Sequence, residues 1–441
     1  MSGGAARGGA GRRVLLGSGW LLGGQTLATG LALIQGVLLA RLLGPSGYGI
    51  VGLVLAFAAL LSRFFDARSW ETAVKYLTDY AERGDSGRGR AVLKGLLAVD
   101  LVSALLTCAA LVAAAPLAAR LFVQDPAAAG LVRIYALTVL GLAPFGMALG
   151  LLRIADRYTW MSGFQVLAAL AELALTVGTV LSGGSLTALM WAFVAAAGLR
   201  TVGALWLLEK AAAELGFRGW LRAPLADARD QLREVAGFWA SSNLFAVLKG
   251  VHQSIDTLLV GSFLGPAAAG VFRIAKNLSQ AVSFPLNPLF QASYPELVRL
   301  HAQGDGPALA RLYRRLLVGG ALAAVGVGVG VALVAGPLVR WTAGPAFVGA
   351  VPVLRWMAAG VAFAAATQFG HALLLARRQL RPVFWSFALP LGVQVAVLAV
   401  ALPGGDPVVA GWAFAAFAAV RGALLLASTR GALIRNAPPG T

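Results

Sequence analysis

Leu38-Leu39-Ala40-Arg41-Leu42-Leu43-Gly44-Pro45-Ser46-Gly47-Tyr48-Gly49-Ile50 closes one apolar run and opens the next. The pattern returns as Leu259-Val260-Gly261-Ser262-Phe263-Leu264-Gly265-Pro266-Ala267-Ala268-Ala269-Gly270-Val271. Leu43-Gly44-Pro45 maps onto Leu264-Gly265-Pro266 with a shift of 221 residues, which also carries Gly49 onto Gly270 and Ile50 onto Val271. The shift is half of the chain, so the protein reads as a duplicated unit. In each copy an apolar helix ends, turns at Gly-Pro and gives way to another. Glycine supplies the permissive backbone and proline starts the next element.

Of the 441 residues, 59% are hydrophobic and only 12% are charged. A soluble domain carries about 25% charged residues, so this composition points to an all-α polytopic membrane protein. The net charge of +18 would suggest nucleic acid in a soluble chain. Here the basic residues sit in short loops between apolar runs, which a membrane explains. No aromatic-basic motif of a nucleic-acid module is present, and nucleic acid is not an expected partner. The single cysteine, Cys108, rules out an intrachain disulfide. The apolar stretch after Arg12-Arg13 is too long for a signal peptide and reads as a retained first helix.

A span needs about 20 mostly apolar residues. Candidates fall at 14–40, 47–69, 92–115, 129–151, 160–182 and 186–209, then at 233–260, 268–290, 315–337, 349–375, 383–402 and 408–428. That gives about twelve helices in two lobes, 1–209 and 233–441, joined by a polar cytoplasmic linker at 210–232. A second repeat supports the duplication. Glu82-Arg83-Gly84-Asp85 corresponds to Ala302-Gln303-Gly304-Asp305, and basic residues follow each copy: Arg88, Arg90 and Lys94 in one, Arg311, Arg314 and Arg315 in the other. Six spans per half make both halves enter the membrane from the same side, as repeats related by an axis along the membrane normal do. Lys and Arg concentrate in alternate loops, which places both termini and the linker in the cytoplasm.

No phosphate-binding loop, Cys/His cluster or Gly-x-Ser-x-Gly motif is present. No outer loop is long enough to carry a catalytic centre, so a transporter ranks above an enzyme such as a membrane glycosyltransferase or polymerase. No metal site or cofactor is expected.

Charges inside spans are the informative residues, since each costs roughly 3 kcal/mol at the bilayer centre. Helix 7 carries Ser242, Lys249, His252 and Asp256, the last three on one face; helix 8 carries Arg273, Lys276, Asn277, Gln280 and Asn287. At about 1.5 Å per residue, Lys249 and Lys276 fall at one depth and Asp256 and Arg273 at another. This predicts an Asp256–Arg273 pair as the alternative to a cavity role, and leaves both lysines without an equally deep acid. The group reads as a mainly positive surface that attracts an anionic substrate such as a diphosphate. The first copy lacks the cluster: Gln35 stands opposite Asp256, Gly52 opposite Arg273 and Leu55 opposite Lys276. Its helix 1 offers Gln25 and Gln35. Arg63 and Asp66 are placed at an inner gate, and Arg68 and Glu71 at a solvated helix end. Glu172 and Arg200 are expected to pair structurally.

At these motifs the sequence resembles a known family. Leu42-Leu43-Gly44-Pro45-x-Gly47-Tyr48-Gly49 is similar to the first signature of polysaccharide-biosynthesis membrane proteins, the Wzx-type oligosaccharide flippases of the MOP (MATE-like) exporter superfamily. Ile255-Asp256-x-Leu258-Leu259-Val260-Gly261-x-Phe263-Leu264-Gly265-Pro266 resembles the second. Ala267-Ala268-Ala269 departs from a common acidic residue there, and Phe272 stands where tyrosine is frequent. The resemblance implies a MATE-like fold and movement of an undecaprenyl-diphosphate-linked glycan across the cytoplasmic membrane by alternating access. Lys249, Lys276, Arg273, Asn277 and Gln280 are then the substrate-binding candidates; Asp256, His252, Gln35, Arg63 and Asp66 are the coupling or gating candidates. Expected partners are a lipid-linked oligosaccharide, membrane lipid, H+ or Na+, a glycan polymerase and glycosyltransferases. A cation-coupled multidrug exporter or a lipid II-type flippase is the alternative; the drug exporter would want acidic cavity residues.

Overall fold

The computed structural model describes residues 3–66, 69–283 and 287–434, the side chains of 3–18, 20–22, 71, 232, 234–246, 281, 287–289, 291, 292 and 431–434 excepted. All regular structure among the described residues is helical. Two long helices, α1 (Gly3–Phe65) and α8 (Arg229–Ser279), are each interrupted once, at Gly44 (φ 66, ψ 179) and Gly265 (φ 81, ψ 176). That region of backbone space is open essentially to glycine alone. Pro45 and Pro266 follow and open the second arm, where a missing N–H costs nothing. The repeat seen in sequence therefore extends to the dihedral angles.

The second repeat is equally literal. After α2 (Ser69–Arg83) comes Gly84 at φ 68; after α9 (Asn287–Ala302) comes Gly304 at φ 73. Each glycine takes the left-handed conformation that ends a helix. An aspartate then caps the next helix: Asp85 accepts from the Arg88 N–H at 3.1 Å to start α3 (Ser86–Ala118), and Asp305 accepts from the Ala308 N–H at 2.9 Å to start α10 (Gly306–Thr342). Such a cap contributes about 1 kcal/mol.

Ten helical stretches among the described residues are long and apolar enough to cross a membrane. Two of them, Gly23–Phe65 and Val247–Ser279, contain the Gly44 and Gly265 breaks, and each takes in two of the spans predicted from sequence. The spans expected to reach 69 and 290 end earlier. Helix α1 stops at Phe65 and the chain resumes as α2; α8 stops at Ser279, with a tight turn before α9. The span at 129–151 is also broken, into α4 (Ala129–Ala136), a tighter turn at Leu137–Gly141 and α5 (Leu142–Ile154). The remaining spans are α6 (Tyr158–Leu181), α7 (Leu186–Glu214), α11 (Ala350–Ala376), α12 (Leu380–Ala401) and α13 (Val408–Ile434).

The chain forms two compact units. The first comprises Met1–Gln35, Phe57–Leu121 and Asp125–Val247; the second comprises Gly36–Ala56, Phe122–Gln124 and Leu248–Thr441. In the first unit Leu77, Leu93, Leu96, Met147, Leu151 and Leu208 form a core that also takes in Phe217 and Trp220. These last two belong to the stretch expected to be a polar linker. Instead it is a strap with a buried side. The Trp220 indole donates to Glu209 Oε2 at 2.9 Å, and the Lys94 ammonium donates to the Ala223 carbonyl at 2.8 Å. Charge counting could not reveal this, because two aromatic anchors suffice to bury a segment whose other residues stay wet.

Gly89 makes room for the strap: a Cβ there would lie 2.1 Å from Phe217 Cε1. Gly89→Ala is expected to cost about 1–3 kcal/mol by overpacking and to speed protease cleavage between Gly216 and Arg229. Unchanged cleavage would show that the strap is held elsewhere.

Glu172 and Arg200 pair as expected, at 3.9 Å, with the guanidinium also 5.3 Å from the Phe145 ring centre. The outward faces suit lipid. Leu167, Leu181, Leu322 and Leu333 are each more than 60% exposed, a surface that only an apolar solvent accommodates. Lys210 lies 5.0 and 4.0 Å from the Trp160 and Trp206 ring centres, an aromatic-cationic grouping suited to the membrane–water boundary.

Candidate functional site

The two arms of α8 bring the charges of the second unit together. Lys276 Nζ donates to Asp256 Oδ1 at 2.7 Å, to Oδ2 at 2.9 Å and to the Gln253 carbonyl at 2.7 Å. Asp256 is fully buried, and its Oδ1 also accepts from the Thr257 N–H at 2.7 Å and hydroxyl at 3.3 Å. The partner predicted from depth was Arg273, with no acid level with Lys276, and the structure corrects both points. Asp256 and Lys276 stand equally far in sequence from Pro266. Arms that turn back at that proline place them level. The depth estimate had set the turn slightly too early.

Arg273 is held by aromatic contact instead. Its guanidinium lies 4.9 Å from the Tyr48 ring centre, and its Nη1 is buried without a hydrogen-bond partner. Asn277 Nδ2 donates to the Tyr48 hydroxyl at 2.9 Å. Gly52 makes the space: a Cβ there would sit 2.6 Å from Arg273 Cδ. Gly52 is the residue that the 221-residue shift pairs with Arg273. The first copy thus lacks the charge and holds the gap that admits its counterpart. Tyr48 was missed as a site residue, although it stands in the signature itself.

The two Gly-Pro turns meet reciprocally within this unit. A Cβ on Gly49 would lie 1.7 Å from the Pro266 carbonyl oxygen, and one on Gly270 would lie 2.1 Å from that of Pro45. The shift exchanges the two contacts, so the packing is self-complementary.

His252 sits lower on the first arm. Its Nδ1 shares a hydrogen bond of 2.8 Å with Gln394 Oε1, its ring stacks on Phe417 at 3.7 Å, and Phe387 meets it edge-on at 5.5 Å. Arg421 lies 5.3 Å from the centre of the same Phe387 ring. Gln394 and Arg421 also escaped the sequence reading. Each is a lone polar residue in an apolar span, and only packing shows what it meets.

Lys249 and Gln280 are exposed. The other candidates lie in the first unit. Gln35 is buried and donates to Thr176 Oγ1 at 2.9 Å; Arg63 and Asp66 are 3.6 Å apart one helical turn from each other, both more than 40% exposed. Gln25 is exposed as well. Arg68 and the side chains of Glu71, Ser242 and Asn287 lie outside the described residues. Among the described residues no cluster of three His, Cys, Asp or Glu could hold a metal.

The polysaccharide biosynthesis protein family model matches residues 14–301, which include both Gly-Pro turns and the α8 ion pair. The chain belongs to this family. The curated inner membrane protein YghQ of Escherichia coli (strain K12) is 26% identical over 321 residues, covering 71% of this chain and 88% of its own. Solved structures share the fold of this family member at low identity. A MATE-family multidrug resistance transporter of the MOP superfamily in an inward-facing conformation superposes with a TM-score of 0.70 at 14% identity, covering 93% of this chain and 96% of its own. The lipid II flippase MurJ, inward closed, gives 0.69 at 12% identity, covering 94% and 88%. A MOP-superfamily transporter from Pyrococcus furiosus gives 0.60 at 16%, covering 96% of each chain.

Proposed function

We propose that this multi-pass membrane protein is a lipid-linked oligosaccharide flippase, and not an enzyme. It moves an undecaprenyl-diphosphate-linked glycan across the cytoplasmic membrane by alternating access of two six-helix lobes, with both termini in the cytoplasm. The observation that carries this reading is the charge imbalance of the α8 hairpin. The hairpin carries three cations, Lys249, Arg273 and Lys276, against one carboxylate, Asp256, which Lys276 meets, and Arg273 keeps a buried N–H without an acceptor. A diphosphate supplies several charged acceptor oxygens. Asn277 and Gln280 offer further donors to sugars.

The pairing of Lys276 with Asp256 gives coupling a physical form. A diphosphate that takes over Lys276 releases a buried carboxylate, which must then gain H+ or Na+ to remain buried. Asp256 is therefore the proposed coupling acid and His252 its neighbour, with Gln35, Arg63 and Asp66 acting at gates in the first unit. Glycosyltransferases would supply the cargo and a polymerase would receive it. A lipid II-type flippase shares the diphosphate chemistry and is the second reading, supported by the fold shared with MurJ. A multidrug exporter of cationic compounds suits the positive hairpin less well.

Arg273→Ala and Lys249→Ala are each expected to reduce surface glycan at least tenfold in a strain that depends on this chain, with normal amounts of protein in the membrane. Undiminished glycan in both single variants and in the double variant would sink the assignment.

A further inference from the structure

The second unit has a half-buried cation that the hairpin does not account for. Arg421 stands at the midpoint of α13 (Val408–Ile434). Its Nε is buried without a hydrogen-bond partner, and its one contact of note is the face of Phe387. The sequence allows it no carboxylate of its own. Across the second-unit spans Val247–Ser279, Gly306–Thr342, Ala350–Ala376, Leu380–Gly404 and Val408–Arg430 the only Asp or Glu is Asp256. Both oxygens of Asp256 are engaged by Lys276.

The neighbours of Arg421 add hydrogen-bonding groups and no acid. His252 shares Phe387 with it and stacks on Phe417, one turn away on α13. Gln394 on α12 holds His252 through its oxygen and leaves its buried Nε2 without an acceptor. Three helices thus gather a guanidinium and N–H groups around His252 and Phe387, and the second-unit spans hold no Asp or Glu besides Asp256 to answer Arg421. An uncompensated guanidinium inside a membrane bundle is costly, and a stack on one aromatic ring recovers only part of that cost.

We infer that the bundle of α8, α12 and α13 holds an internal site for a single oxyanion, a carboxylate or a phosphate. Arg421 is its fixed charge and Gln394 Nε2 a neutral donor. Its residues are other than those of the Tyr48–Arg273 corner of the hairpin. Its two sources are an acidic group on the transported glycan and a free inorganic anion. The planar guanidinium fork matches the two oxygens of such a group.

The test is calorimetric titration of the purified full chain, in discs of neutral phosphatidylcholine, with sodium glucuronate and with inorganic phosphate. Saturable binding of at least one is expected. It should weaken at least tenfold in Arg421→Gln and severalfold in Arg421→Lys, which keeps the charge but not the planar fork and so guards against a loss that is only one of folding. Binding of glucuronate alone assigns the site to an acidic sugar; binding of both ligands assigns it to a free oxyanion. Absence of saturable binding by either ligand, or equal binding in wild type and both variants, overturns the inference. Since no glycan lipid is present, failure here leaves the flippase reading intact, and a chain that exports no glycan could still bind the anion.

Discussion

Lys276→Ala is expected to lower the thermal unfolding midpoint sharply, and adding Asp256→Asn to restore most of it. The cost arises at the aspartate. Asp256 is fully buried, while the Lys276 side chain keeps 18% exposure. Removing the lysine leaves a carboxylate whose remaining donors are the N–H and hydroxyl of Thr257. Breaking a buried pair from one side costs about 3–5 kcal/mol, whereas removing both partners is often close to neutral. The midpoint of detergent-purified protein, followed by size exclusion after heating, reads this directly. Lys276→Ala melting with the wild type would show that Asp256 is satisfied without it. Glycan export then separates two roles. If the double variant folds but exports nothing, the charges act in transport; if export returns, the pair is structural.

The second large effect is expected at Gly49 and Gly270. Alanine at either position places a methyl group against a carbonyl oxygen at 1.7 Å for Gly49 and 2.1 Å for Gly270, far inside the 3.0 Å below which such contacts essentially never occur. Pro45 and Pro266, which carry those carbonyls, are fixed by their rings and by glycines in a conformation closed to other residues. The turns must therefore part. Each single variant should lose about 2–4 kcal/mol, near the upper end for overpacking. Because the two contacts are reciprocal, the double variant should lose far less than the sum, as coupled neighbours do. Wild-type melting of Gly49→Ala, or strict additivity in the pair, would contradict a shared contact.

Much of the fold was legible because the membrane enforces a simple code. Apolar runs of about 20 residues become helices, since no other unclosed backbone can satisfy its own hydrogen bonds in lipid. The paired Gly-Pro turns were equally legible, because proline and left-handed glycine are local demands of the backbone. The strap at 210–232 was not, since its burial depends on Phe217 meeting Gly89, a contact between residues far apart in sequence. The charged residues of the hairpin were found, but their pairing was not. A register error of about two residues moved the partner of Asp256 from Lys276 to Arg273.

By itself the sequence determined that this is a helical membrane protein built by duplication, that its turns lie at Gly44-Pro45 and Gly265-Pro266, and that the second copy carries the charge. These are properties of composition and local backbone, which the chain carries wherever it packs. The tertiary structure decided which charge meets which. Lys276 is spent on Asp256, Arg273 rests on Tyr48 in the gap left by Gly52, and Arg421 is left beside His252 with no acid to answer it. Such pairings are fixed within an ångström or two by how helices from distant parts of the chain come to rest. Spacing along a single helix does not contain that information.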